Sequence, residues 1–121
     1  MRDVAYEQIP RAQRAARHLK AASWLENEAA GRVEDLAEVL AYHTGEALNL
    51  ADQQGDAGLR ADVAPAAARY ALLAGERALG LDTTKALTLL DRARALTAET
   101  DSTFALVLLR WGDAAHQAGM M

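Results

Sequence analysis

Two short runs in this sequence place an imidazole and a carboxylate one helical turn apart: His43-Thr44-Gly45-Glu46 and Asp113-Ala114-Ala115-His116. On a helix, residues three apart share a face, and metal-binding helical bundles use that spacing. A di-iron centre of this kind asks for two Glu-x-x-His pairs and two further inward glutamates. Only the second run has that order, with aspartate in place of glutamate, and nothing in the 121 residues supplies its mate. The pairs therefore read as surface histidines near helix ends. No metal and no other cofactor is expected, and a small metal-binding helical bundle is kept as an alternative. Nucleophilic catalysis finds less support. Ser23 and Ser102 have no histidine in plausible register, cysteine is absent, and no glycine-rich phosphate loop with lysine is present. Tyr70, Phe104 and Trp111 fall on helix-packing positions rather than on a base-stacking platform. The chain reads as a non-enzyme.

The other chemistry on offer is electrostatic. The formal net charge is -4, yet residues 1–20 carry Arg2, Arg11, Arg14, Arg17 and Lys20 against only Asp3 and Glu7. A basic leading helix on an acidic body is the footprint of a nucleic-acid accessory, the alternative function here. The spacing speaks against it. Four cations at steps of three fan across half a helix circumference and make no narrow stripe, so an ordinary solvated face is expected and no nucleic-acid partner. No apolar run approaches the roughly 20 residues that span a bilayer, and no basic-then-apolar leader is present. The lack of cysteine fits a reducing compartment, so a cytoplasmic chain without a membrane partner is expected.

These residues need elements to hold them, and every periodic stretch is helical. The composition is 51% hydrophobic with only 5% aromatic residues, which favours closely packed helices rich in alanine. Residues 1–9 read as the end of a preceding helix. Residues 10–55 read as a first helical hairpin. Its first helix runs from Arg11 to about Ala29, buries Ala12, Ala15, Ala16, Leu19, Ala22 and Leu25, leaves Trp24 half-buried, and stops at Gly31. Its second starts near Val33, with Glu34 and Asp35 in the first turn, and buries Val33, Leu36, Ala37, Leu40, Thr44, Ala47, Leu48 and Ala51. Gly45 in mid-helix signals a close helix crossing. Residues 53–61 read as loop, with Asp62 as N-cap and Pro65 in a first helical turn; a start as early as Ala57 is the alternative. Residues 62–98 then form a second hairpin. Tyr70, Leu73, Ala74 and Ala78 share one face, and Ala86, Leu90, Ala93 and Leu96 share the other. Gly80 closes its first helix, and Asp82 or Thr83 caps its second. Residues 102–121 hold one more helix, from Phe104 to about Gln117, ending at Gly119. The fold class is all-α, an antiparallel array of helical hairpins with about five helices in a single domain. The rival is a closed four-helix bundle with an appended helix.

The second hairpin resembles a tetratricopeptide repeat. It carries Tyr70-x-x-Leu73-Ala74-x-x-Arg77, then Ala86-x-x-x-Leu90, with Ala93 and Leu96 following. It departs from the pattern at Ala74 for glycine, Arg77 for an aromatic residue and Ala98 for proline. Leu108-x-x-Trp111-Gly112-x-x-Ala115 is similar to the opening of a further repeat that stops half-way. The first half of the chain resembles the segment that follows the ATPase and winged-helix portion of large bacterial signalling regulators. The matching residues are Arg2-Asp3-Val4-Ala5-Tyr6, His18, Trp24-Leu25, Glu34-Asp35, Ala37-Glu38 and Leu40-Ala41-Tyr42-His43. This likeness implies the sensing or docking part of such a regulator, without its nucleotide-binding, cyclase or DNA-binding parts.

The function expected is therefore a non-enzymatic protein-interaction or regulatory module, with a protein or peptide as partner. In repeats of this kind the first helix of each pair lines a concave surface. The resemblance thus implies a groove of Leu72 and Gly75 together with Leu109, Asp113 and His116. Packing against a neighbouring helix is the other use for these residues. The last helix is apolar nearly all round, through Phe104, Leu106, Val107, Leu108, Leu109 and Trp111. A face of that kind calls for a cover, and a homodimer through this helix is expected.

Overall fold

The computed structural model describes residues 11–29 and 36–119. Among these residues there are five helices and no strand: α1 Arg11–Ala29, α2 Ala37–Gln54, α3 Ala57–Ala78, α4 Thr83–Leu96 and α5 Phe104–Gln117. The helix end over residues 1–9, the start at Pro10, the stop at Gly31 and the turn with Glu34 and Asp35 lie outside the described residues. The chain divides into two compact units, residues 1–64 and 65–121, with the boundary inside α3 at Pro65.

In the first unit α1 and α2 pack together as a helical hairpin. Among the described side chains of α1, which do not include Ala12, Ala15 and Ala22 are buried, and His18, Leu19 and Leu25 are half-buried. Two expectations fail here. Ala16 is exposed, and Trp24 is 61% exposed rather than half-buried. Nine residues separate Ala15 from Trp24, which on a helix is about 180° of rotation; the indole therefore points away from the α2 side. On α2 the buried positions are Ala37, Leu40, Ala41, Thr44, Gly45, Ala47, Leu48, Leu50 and Ala51. Thr44 is tolerated there because its hydroxyl donates to the Leu40 carbonyl at 2.8 Å, which removes the penalty of a buried unpaired group.

The junction between α2 and α3 corrects the loop expected over residues 53–61. Gly55 adopts φ 67°, its N–H donates to the Asp52 carbonyl at 3.1 Å, and the Asp56 N–H donates to the Ala51 carbonyl at 2.9 Å. This pair of bonds is a Schellman closure, which needs a left-handed residue that glycine adopts without strain. The Asp56 carboxylate then accepts from the Leu59 N–H at 3.0 Å and caps the next helix. One residue finishes one helix and starts another. The earlier start at Ala57 is the one realised, so Asp62 caps nothing and Pro65 sits inside the helix. The Arg60 guanidinium spans the corner to both Asp52 oxygens, at 2.8 and 3.0 Å; both groups are well exposed, so the pair adds only about 0.2–1 kcal/mol.

In the second unit α3 turns back into α4 through Gly80, and Asp82 accepts from the Lys85 N–H at 3.0 Å as the expected cap. Ala71, Ala93 and Val107 form one buried cluster, and Ala78, Ala86, Leu90 and Ala114 form another. With Gly75 lying against Leu90, positions 71, 75 and 78 oppose 93, 90 and 86, which is antiparallel register. The same two clusters tie α5 antiparallel to α4 and parallel to α3. The α3–α4 contact is tight. A β-carbon at Gly75 would stand 2.6 Å from Leu90 Cγ, 2.8 Å from Leu90 Cδ2 and 3.4 Å from Leu89 Cβ, and Leu90 is fully buried. Before α5, Asp101 accepts from both the N–H and the hydroxyl of Thr103, at 2.9 and 2.8 Å. The backbone bond, then the hydroxyl, hold its carboxyl below the ordinary carboxylate range.

Two outcomes follow from this packing. Gly75→Ala gains up to about 1 kcal/mol of helix propensity but forces Leu90 from its rotamer, a larger loss of about 1–3 kcal/mol. The midpoint of thermal unfolding falls, and Gly75→Ala combined with Leu90→Ala loses less than the two single losses added together. Tyr70 is fully buried, and its hydroxyl has no hydrogen-bond partner among the described residues. Tyr70→Phe therefore keeps or raises the unfolding midpoint, because it removes a desolvated group that nothing compensates. A fall of several degrees would place a partner on that hydroxyl.

Candidate functional site

The five groove residues do not share a surface. Leu72 is half-buried and packs against both clusters of the second unit, and Gly75 is buried against Leu90. The α3 face that was to line a groove is the face α4 occupies. Small side chains permit close approach whoever approaches, and here the neighbouring helix does so. Leu109, Asp113 and His116 are brought together on the outer side of α5. Leu109 is 58% exposed, and Leu106 and Leu108 beside it are 38% and 41% exposed. At about 100° per residue, Ala105, Leu109 and His116 fall along the middle of this face, with Leu106 and Asp113 on one flank and Leu108 on the other. Val107 and Ala114 are buried on the opposite side, and Ala115, also buried, lies next to the Leu108 flank.

Polar contacts from both neighbours fix the rotation of α5. Arg110 Nε donates to Glu76 on α3 at 2.9 Å, and its Nη1 lies 3.5 Å from Asp113. The Glu76 hydrogen bond, more than the charge of either acid, stabilises the guanidinium in its charged form against partial desolvation. Trp111 Nε1 donates to Asp91 on α4 at 3.1 Å, and the Arg94 guanidinium lies 4.6 Å from the centroid of the same indole. Gln117 accepts from the Gly80 N–H at 2.9 Å. The result is an apolar outer face with a carboxylate and an imidazole near its C-terminal end.

Chemistry-bearing side chains also meet in the first unit, where the sequence pairs His43 with Glu46 but points to no partner on α1. His18 Nδ1 and His43 Nδ1 are 3.0 Å apart across α1 and α2, with the Tyr42 ring edge-on to both imidazoles. Burial, followed by the neighbouring His43, holds His18 below the ordinary histidine range; Glu46 opposes this and Arg14 adds to it. His43, expected on the surface near a helix end, is instead half-buried in mid-helix against His18, with Glu46 close enough to act on His18. A signal for it lay in the sequence: His18 falls between the buried positions Ala15 and Ala22, and His43 next to Thr44. Among the described residues, no three His, Cys, Asp or Glu side chains are arranged to hold a metal ion. Asp113 and His116 likewise stand without a further ligand. A shallow cleft of about 180 Å³ lies at the α2–α3 corner, but its Asp52 and Arg60 already satisfy each other.

Of the basic residues expected on the first helix, Arg17 and Lys20 are exposed and Arg14 is half-buried. No helix is long and apolar enough to cross a membrane among the described residues. No protein-family model, curated protein or solved structure matches this chain.

The α5 contacts rank themselves by burial. Arg110 and Glu76 are each about one-third exposed, so Arg110→Ala lowers stability only slightly, because water screens the pair. Trp111→Ala removes packing against the Leu90 cluster and lowers stability by about 2–4 kcal/mol. Chemical denaturation of the two variants checks the order; the reverse order would mean that charge rather than packing sets the pose of α5.

Proposed function

We propose that the chain is a protein-interaction module whose docking surface is the outer face of α5. The observation that supports this is the exposure of Leu106, Leu108 and Leu109 together on a helix whose other side is firmly packed. An apolar patch on a pre-set scaffold is suited to recognising an apolar helix or peptide. The tetratricopeptide reading gains support from the parallel run of α3 and α5. Ala71 and Val107, like Ala78 and Ala114, share clusters at an offset of 36 residues, near the repeat's usual 34. The likeness of the first half to the helical region of bacterial ATPase regulators supports a sensing or docking part within such a protein.

Magnitudes favour a second copy as the simplest partner. Fully burying a leucine is worth about 1.5–3 kcal/mol, so covering three that are already half-covered recovers about 3 kcal/mol. In a two-fold pairing both copies bring the same three leucines, which doubles the gain to about 6 kcal/mol. Association opposes this with about 4 kcal/mol or more. The dimer is accordingly weak. Sedimentation equilibrium and NMR line widths from about 0.1 to about 3 mM (a net gain near 2 kcal/mol puts the dissociation constant at about 30 mM) should give a small but rising dimer fraction, and Leu109→Glu should abolish it with helicity unchanged. A wild-type monomer throughout rules out self-association. Selection from a displayed peptide library then tests the wider reading, with apolar-faced peptides expected to lose at least tenfold in affinity to Leu109→Glu. Failure to enrich any peptide, or indifference to that substitution, removes α5 as the docking surface.

A further inference from the structure

We infer that His18 and His43 form a proton-operated clasp between α1 and α2, closed while at least one ring is neutral and released when both are charged. This is independent of the α5 interaction reading and rests on the geometry of the first unit. Two Nδ1 atoms at 3.0 Å make a hydrogen bond only if one carries a proton and the other presents its lone pair. With both rings neutral, one ring donates from Nδ1 and the other accepts there while keeping its proton on Nε2. Adding one proton to the donor ring's Nε2 leaves the bond intact and makes it charge-assisted. Adding a second places N–H groups on both facing atoms. The bond is lost, and two like charges then face each other across the helix interface. The clasp thus tolerates one extra proton and fails on the next.

The surroundings decide which ring resists that step. Around His18 stand Arg14 on its own helix and Tyr42, His43 and Glu46 on α2. Glu46 favours a cation at this place. Arg14, the partner ring and partial burial disfavour one, and together they prevail, holding His18 below the usual histidine range. Because the folded form holds this proton less tightly than the unfolded chain does, the unfolded state binds more protons as the pH falls. The stabilisation is therefore complete above the unfolded value of about 6.5 and is lost as the pH falls through the lower folded value. One such proton changes the closed-to-open ratio by at most about tenfold per pH unit.

Amide hydrogen exchange on the whole chain between pH 7.5 and pH 5.5 reads the clasp directly, once corrected for the intrinsic effect of pH (a window set by the histidine range). Protection in α1 and α2 should fall several-fold across this window, while α4 and α5 keep theirs. In the His18→Gln, His43→Gln double variant an amide pair can still bond but cannot titrate, so the pH-dependent loss should vanish. His116→Gln, on the exposed side of α5, should leave the loss in place. Protection that does not change with pH, or that falls equally in the double variant, overturns the proposal. If the double variant does not fold, ring ¹⁵N shifts of the wild type decide. Titration of the His18 ring at or above about 6.5 overturns the clasp, and titration below it supports it.

Discussion

Gly75 lets the backbone of α3 come within van der Waals reach of Leu90 on α4, and much of the second unit follows from that approach. A β-carbon there would stand 2.6 Å from Leu90 Cγ, closer than real side chains come. At this separation the residues on either side must also be small, and they are: Ala71 and Ala78 on α3 oppose Ala93 and Ala86 on α4. Leu90 then fills the space the alanines leave, and its far side meets Ala114 of α5. The third helix is placed by the same contact that joins the first two. Because α5 spends Val107 and Ala114 on this packing, Leu109 is turned to the other side, with Leu106 and Leu108 on its flanks.

The all-α class, the Gly55, Gly80 and Gly119 helix ends and the Asp82 cap could all be read from the sequence, because each is set by neighbours within one helical turn. The α5 boundaries, Phe104 and Gln117, were legible for the same reason. What escaped reading depends on partners further away. The corner at Gly55-Asp56 reads as loop from sequence because residues 53–61 are polar and Pro65 stands just beyond. Polar residues are as content on an exposed helix as in a loop, and the choice was made by the Schellman bonds and the Asp56 cap. Trp24 stands beside the inward Leu25, which suggests a half-buried place, whereas its position opposite Ala15 turns it outward.

The candidate site divides in the same way. Leu109, Asp113 and His116 lie on one face because they share one helix, and periodicity carries that information. Leu72 and Gly75 were grouped with them through the repeat resemblance, and a small residue marks a close approach without naming what approaches. The His18–His43 contact spans 25 positions and joins two helices whose relative rotation no local pattern specifies. Periodicity could place each imidazole on an inward-leaning face; it could not say that the two Nδ1 atoms would meet.

The two units also differ in what holds their helices together. The clusters of the second unit are alanine, leucine and valine, with polar contacts only around the rim, so nothing in its core changes with protonation near neutrality. The α1–α2 interface carries Ala15 and Ala22 on one helix and a run of alanines and leucines on the other, but it also encloses a polar cluster of His18, His43 and Glu46 beside Arg14. A hydrogen bond between two imidazoles contributes little net stability, about 1 kcal/mol. It makes that interface conditional all the same, since removing a partner from a half-buried donor leaves a desolvated group behind. Apolar packing sets the form of both units, and only the first has a packing term that the proton concentration can withdraw.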